Sequence, residues 1–369
     1  MSQAFHGGRL PEAAKEFDRP CGSFVDFSAN INVFAPMVTA VDWERWRAKI
    51  AVYPEADADT LRDQLSELYG INTGHILPAG GAIEALYLAA RLFSGCKVGV
   101  VEPAFSDYYR AFEAAGRAPE RITLSPAMWH VPIGGWKHLL DPFDVVVLGN
   151  PNNPTGALQP REQLAALFKE TWTRPKTWLV DEAFIEFVAD HGQETLLQLL
   201  DENNSLIVLR SLTKTWGIPG LRLGFLATSD AGWMGRLRAM QPPWSINAVA
   251  QAWAAEFLTA TRHGQLLAGL REFPKIRGSF ETGLRQIPGI RAYPSAANFL
   301  LVELLDASLE ASRIYRELGR RGLLVRVCDS FHGMAKGRFI RLAVRTEVEN
   351  QLLAKTLGAV CAELIREAA

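Results

Sequence analysis

The chain reads as an α/β protein built on a mostly parallel sheet, followed by a smaller α+β unit. Three observations predict this. Short apolar runs at 97–101, 144–149, 177–180, 206–210 and 223–227 alternate with longer stretches of helical period. The runs are apolar at nearly every position, as in strands covered by helices on both faces. After about Ser245 the pattern changes: a long helical region at 247–286 leads to strands at 298–303, 323–327 and 338–344, with helices near 309–321 and from Glu347. At 369 residues the chain is long enough for two subdomains. The division expected is an arm at 1–40 that completes the small unit, a large domain at 41–250 and the small domain at 251–369.

Charge excludes some function classes. Lysines and arginines number 39 against 40 acidic residues, a formal net charge of -1. No global field draws the protein to nucleic acid or to a membrane surface, so an anionic substrate must be caught by locally placed arginines. No apolar stretch approaches the roughly 20 residues that span a bilayer. The first eight residues lack a charged leader followed by an apolar run, and the expected location is cytoplasmic. Four scattered cysteines with no Cys-x-x-Cys pair read as reduced thiols, with no metal site expected.

In α/β sheets of this kind ligands bind beyond the carboxyl ends of the strands. The segment Ser211-Leu212-Thr213-Lys214-Thr215-Trp216-Gly217-Ile218-Pro219-Gly220-Leu221-Arg222 follows one such strand. Its glycines put Lys214 in a turn rather than on a solvated helix face. A lysine withdrawn from water loses its ammonium preference and becomes available for imine chemistry. Ser211, Thr213 and Arg222 suit a nearby phosphate. Gly80 and Gly81, before a helix that opens at Ala82, form a second anion cradle, where backbone N–H groups and the helix dipole act together. Asn150-Pro151-Asn152-Asn153-Pro154 would by itself be an ordinary turn, and Asp181 an ordinary helix cap.

Taken in order, these segments resemble the motifs of fold-type I enzymes dependent on pyridoxal 5'-phosphate (PLP), the aspartate aminotransferase superfamily, over nearly the whole chain. The resemblance implies a PLP-dependent transferase-like fold with a mostly parallel seven-stranded sheet in the large domain. It implies that Lys214 carries PLP as a Schiff base. Asp181 would pair with the pyridine nitrogen, Asn153 would bond the phenolic oxygen and Phe105 would stack on the ring. Tyr53 would reach the cofactor phosphate across a homodimer interface, so that the active site is shared. Phe184, in Asp181-Glu182-Ala183-Phe184, stands where the histidinol-phosphate aminotransferases have tyrosine.

Arg341 matches the arginine that grips a substrate α-carboxylate, and Arg326 and Arg345 flank it. Three arginines around two strands suggest a doubly anionic substrate, a small phosphorylated amino acid. His6-Gly7-Gly8 and the segment from Asp26 to Asn32 resemble the opening of the threonine-phosphate decarboxylases of cobalamin biosynthesis. By that resemblance His6, Gly7, Gly8, Asn32 and Asn153 join the arginines as substrate contacts, and the activity expected is decarboxylation of O-phospho-L-threonine. The sequence departs from that pattern at Val33-Phe34-Ala35-Pro36, at Val327 and in its Ala79-Gly80-Gly81-Ala82 loop. A histidinol-phosphate or aromatic aminotransferase stays open. So does a non-catalytic PLP-binding module, against which the absence of an N-terminal helix-turn-helix and the near-neutral charge argue.

Overall fold

Strand burial follows from composition. In a computed structural model describing residues 7–35, 43–129 and 133–368, the runs Val145–Gly149 and Leu206–Ser211 are buried at every position. In chain order the strands are β1 (Val25–Asp26), β2 (Ile76–Ala79), β3 (Val98–Glu102), β4 (Glu120–Thr123), β5 (Val145–Gly149), β6 (Thr177–Asp181) and β7 (Leu206–Ser211). There follow β8 (Gly224–Ala227), β9 (Ile290–Ala292), β10 (Phe299–Leu304), β11 (Leu323–Leu324), β12 (Arg326–Val327) and β13 (Phe339–Ala343).

Seven of these form the large sheet, in the order β2-β8-β7-β6-β5-β3-β4. All its pairings are parallel except those of β8, which runs antiparallel to both β2 and β7. The sheet is therefore the mostly parallel seven-stranded one expected. Two of its edge strands escape a search for apolar runs. β2 contains Pro78, tolerated because it lies at an edge, and β4 buries only Ile122.

The register aligns the ends that carry the motifs. Ala79, Gly224 and Ser211 lie side by side across β2, β8 and β7. Gly149, Asp181 and Leu209 do the same across β5, β6 and β7.

The second sheet is antiparallel, β12-β13-β10-β9. The helix Phe273–Arg285 and the last helix, Glu347–Ala368, pack on one another beside it. The helical region at 247–286 is three helices rather than one: Ala248–Phe257, Ala260–Leu270 and Phe273–Arg285. Thr259 caps the second by accepting from Arg262 N, and a proline opens the third, so the chain changes direction at each. The expected strand at 323–327 divides at Val325, because its halves serve different partners. β11 pairs in parallel with β1, and β12 pairs with β13. The β1 pairing ties the N-terminal segment to the small unit. Beside it Phe17 packs over Gly319 so closely that a Cβ there would meet its ring. No helix among the described residues is long and apolar enough to cross a membrane.

Behind the aligned strand ends lies a buried ionic cluster. Arg210, at the penultimate position of β7, donates through Nη1 to Glu182 Oε2 (3.1 Å) and through Nη2 to Glu186 Oε1 (2.8 Å). Tyr69 Oη donates to Glu186 at 2.7 Å, and Thr195 Oγ1 donates to Glu182 at 2.7 Å. Burial pushes the Glu186 carboxyl up, but Arg210, then His263 and Thr215, more than offset it and hold it well below the usual range. Glu182 and Arg210 directly adjoin Asp181 and Ser211 in sequence, so the cluster anchors the two strand ends that bear them. Arg210→Met would leave two buried carboxylates without their cation. The expected cost is about 3–5 kcal/mol, read as a lower denaturant midpoint; a midpoint unchanged from wild type would show that the cluster does not hold the sheet.

Candidate active site

Lys214 lies on a one-turn helix, Leu212–Thr215, immediately after β7. It is partly buried rather than solvated, in keeping with the turn expected from the sequence. The helix is tied down from the N-terminal segment. Asn32 N donates to Lys214 O (2.9 Å) and Asn32 Nδ2 to Thr215 O (2.8 Å), while Asn32 Oδ1 accepts from Phe34 N (2.9 Å). Asn32 thus helps to hold the lysine segment in position. Burial, then Arg341 and Arg222, lower the Lys214 ammonium to about 8, against a smaller opposing effect of Asp181. Between about pH 8 and 10.5 the amine is therefore mostly neutral where an ordinary lysine is still charged.

Asp181 ends β6, and both its oxygens are held. Tyr108 Oη donates to Oδ2 at 2.8 Å and Ala183 N donates to Oδ1 at 2.9 Å. Burial raises this carboxyl, whereas Tyr108, Ala183 N and Lys214 favour its anion. Tyr108 is itself buried and its phenol pushed far up by burial and by Asp181, so it stays protonated and remains a donor. Its ring meets Phe105 edge-on at 5.7 Å. Sequence reasoning passed over Tyr108. The available signal was its spacing, three residues beyond Phe105 and inside the helix Asp107–Ala114. Tyr108→Phe should lower kcat/KM roughly fivefold to tenfold at neutral pH. Its acid limb should move to higher pH, because a carboxyl that loses a donor to its anion protonates sooner. An acid limb at the wild-type position would sink this role.

The anion cradle is assembled from three strand ends. Gly81 caps the helix Ala82–Leu92 with φ +86°, a conformation that favours glycine. A Cβ at Gly81 would lie 3.0 Å from Arg222 Nη2, and one at Gly224 would lie 2.6 Å from Ala82 N. Gly224 therefore lets the helix start come up against β7, where Ser211 Oγ and Thr213 Oγ1 are 2.8 Å apart. Glu84 Oε2 takes the Gly80 N–H and Ala79 O the Gly81 N–H. This leaves Ala82 N–H, the two hydroxyls and the exposed Arg222 to meet a phosphate. The set suits PLP part by part: an amine for its aldehyde, a held carboxylate for its ring nitrogen, an aromatic ring beside it and a cradle for its phosphate.

Arg341, on β13, is buried and held in place. Nη1 donates to Asn153 Oδ1 at 2.5 Å and Nη2 to Ser28 O at 3.1 Å, with the Phe299 ring 5.2 Å away. The first bond occupies Asn153 Oδ1 and not its Nδ2. Phe184 packs edge-on against the same Phe299 at 5.0 Å, so the apolar ring fills its place in the core. Arg326 faces Arg341 across paired strand positions and donates to Ser330 Oγ at 2.6 Å. Arg345 does not join them. It lies beyond β13, paired with Glu349 at 2.9 Å and bonded to Asp26 O at 3.1 Å. Gly7 and Gly8 come close to Arg341: Gly8 N donates to Ser28 Oγ at 2.9 Å, and a Cβ on Gly7 would collide with Ser28 O. His6 lies outside the described residues. Tyr53 is 82% exposed, with its ring 5.0 Å from that of Trp244.

A cavity of about 470 Å³ opens beside Arg326, lined also by Arg9, Ser28 and Ser330 and by the carboxylates Glu12, Glu16 and Asp329.

Comparison with known proteins gives the same frame. Residues 24–357 match the family model described as aminotransferase class I and II. The chain is 33% identical over 364 residues to a threonine-phosphate decarboxylase of Salmonella typhimurium, covering 95% of each chain. It is 30% identical to a histidinol-phosphate aminotransferase of Thermoanaerobacter pseudethanolicus, covering 78% of each. A solved histidinol-phosphate aminotransferase from Clostridium acetobutylicum superposes with a TM-score of 0.81 at 26% identity, over 90% of this chain and 98% of that one.

Proposed function

Because the chain belongs to the class I and II aminotransferase family and its cofactor is PLP, we propose that it decarboxylates O-phospho-L-threonine to (R)-1-aminopropan-2-ol O-phosphate, a step of cobalamin biosynthesis. The observation that carries this reading is the buried pair Arg341 and Arg326 on facing strand positions. Two buried guanidiniums side by side repel one another unless anions meet them. A substrate with a carboxylate and a phosphate supplies both. The decarboxylase relative, similar over 95% of both chains, supports the same choice.

PLP bound here supplies an electron-poor ring that takes up the electron pair left on Cα when a bond to it breaks. The protein's own residues decide which bond. Arg341 holds the carboxylate, and Asn153 and Ser28 hold Arg341. Arg326 would hold the phosphate at the far end, so that the amino acid is fixed at two points and its orientation is set by this chain. Gly7 and Gly8 lie against Ser28, which holds Arg341 through its carbonyl. Lys214 Nζ would hold the proton that takes the place of the lost carboxylate on Cα. Asp181, kept anionic by Tyr108, holds the proton on the ring nitrogen.

The exposed apolar side chains Ile50, Val52, Tyr53 and Trp244 support a homodimer in which Tyr53 serves the partner's site. The other reading is a histidinol-phosphate aminotransferase, favoured by the relative of 30% identity.

Arg326→Met separates a phosphate contact from a structural one. KM for O-phospho-L-threonine should rise roughly 10- to 100-fold, as for a lost charged hydrogen bond, with little change for unphosphorylated L-threonine. An equal rise for both would remove the phosphate from this reading.

A further inference from the structure

The loop between β12 and β13 links Arg326 to the large domain. On one side Ser330 Oγ accepts from Arg326 Nη2 at 2.6 Å, and the buried Phe331 ring lies 5.5 Å from the guanidinium. Asp329 Oδ1 closes the loop on itself by accepting from Gly337 N at 2.7 Å. On the other side His332 docks on the large domain. Its ring stands edge-on to Tyr109 at 5.1 Å, and its Nε2 accepts from Arg121 Nη2 at 3.4 Å. Gly333, with φ +75°, comes so close to Glu102 that a Cβ would lie 3.3 Å from the Glu102 Cβ. Glu102 is buried and accepts from Tyr109 Oη at 2.5 Å and from Thr123 Oγ1 at 3.2 Å, with Arg121 Nε 3.7 Å away.

This docking point adjoins the cofactor site. Glu102 ends β3 and Phe105 lies three residues on, while Tyr108, the partner of Asp181, directly precedes Tyr109 on one helix.

We propose that residues 328–337 are a clasp: His332, seated on Tyr109 and Arg121, and Ser330, bonded to Arg326, are positioning residues that aim Arg326 at the phosphate of a phosphorylated amino acid. The inference rests on the reading that Arg326 meets that phosphate. Arg121 is a cation that cannot accept, so His332 Nε2 must be unprotonated to receive its hydrogen bond. Five groups face the imidazole: Glu102 from β3, Arg121 from β4, Tyr109 and Glu113 from the helix Asp107–Ala114, and Lys336 from its own loop. Burial first, then Arg121, lower its proton affinity, with Glu102 and Glu113 opposing. An imidazole lowered in the closed state is neutral above about 6.5, where the clasp is fully engaged. As pH falls below that value, protonation favours release.

The test measures binding to the holoenzyme from the change in its cofactor absorbance, with O-phospho-L-threonine and L-threonine as probes. At pH 8, His332→Ala and Ser330→Ala should each raise Kd for the phosphorylated probe about fivefold, as for one lost ring contact or hydrogen bond, and leave that for L-threonine unchanged. His332→Gln, which keeps an acceptor but does not titrate, should restore affinity at pH 8. Below pH 6.5 the wild-type Kd should rise more steeply than that of His332→Gln; titration of the phosphate itself is common to both and cancels in their ratio. Unchanged affinity in both alanine variants, equal losses for both probes, or parallel pH profiles would overturn the clasp alone. A wild-type enzyme that binds O-phospho-L-threonine no better than L-threonine would overturn the functional reading, and the clasp with it.

Discussion

Lys214→Ala should abolish covalent attachment of PLP and lower turnover on the order of 10⁴-fold. The amine serves both as the cofactor's anchor and as the group that returns a proton to Cα, and a positioned acid alone contributes about 10²–10⁴-fold. The loss of attachment is read by borohydride reduction and intact mass: wild type gains the mass of the reduced cofactor, and the variant does not. The wild-type chain should show a second signature of the same group. With the ammonium lowered to about 8 by burial, Arg341 and Arg222, the rate of recombining apoprotein with PLP should rise with pH and reach half its maximum near 8. Arg222→Met removes one of the lowering charges, so the midpoint should move upward. A covalent adduct that survives in Lys214→Ala would contradict the assignment of the lysine.

The second large effect belongs to Asp181. Asp181→Asn keeps the shape and the bond from Ala183 N but removes the charge that keeps the ring nitrogen protonated. Turnover should fall between about 10²- and 10³-fold, as when one preorganised electrostatic group is lost from a site. Cofactor content should change little, because Lys214 and the cradle around Gly81, Ser211 and Thr213 remain. The contrast with Lys214→Ala separates holding the cofactor from activating it. If Asp181→Asn kept more than a tenth of wild-type turnover, the carboxylate would have no part in the electron sink.

Much of this was legible in the sequence because the motifs sit where geometry leaves few choices. Asp181 ends one apolar strand and Lys214 follows the next, and parallel strands in register bring those ends together; the Gly80–Gly81 pair follows β2, which no apolar run marks. What stayed illegible depends on pairing between distant segments. Tyr108 looks like another core aromatic until the helix after Phe105 turns it toward Asp181. Arg210, Glu182 and Glu186 read as scattered charges until β6 and β7 align.

Arg345 erred the other way: its chemistry suits a substrate, yet it pairs with Glu349, four residues on, at the start of the last helix. Arg341 and Arg326 differ from Arg345 in lying on paired strands, which the spacing of three arginines along a sequence does not reveal. The arm was expected to complete the small unit, but not through which strand: β1 pairs with β11 in a two-residue ladder too short to leave a periodic signal.

The reaction itself is the most direct test of the account. O-phospho-L-threonine labelled in its carboxylate is given to the purified holoenzyme without any 2-oxo acid, and labelled carbon dioxide and amine are measured together. The account predicts carbon dioxide and the phosphorylated aminopropanol in equal amounts. Glutamate formation that requires 2-oxoglutarate, with no carbon dioxide released, would contradict it and identify an aminotransferase.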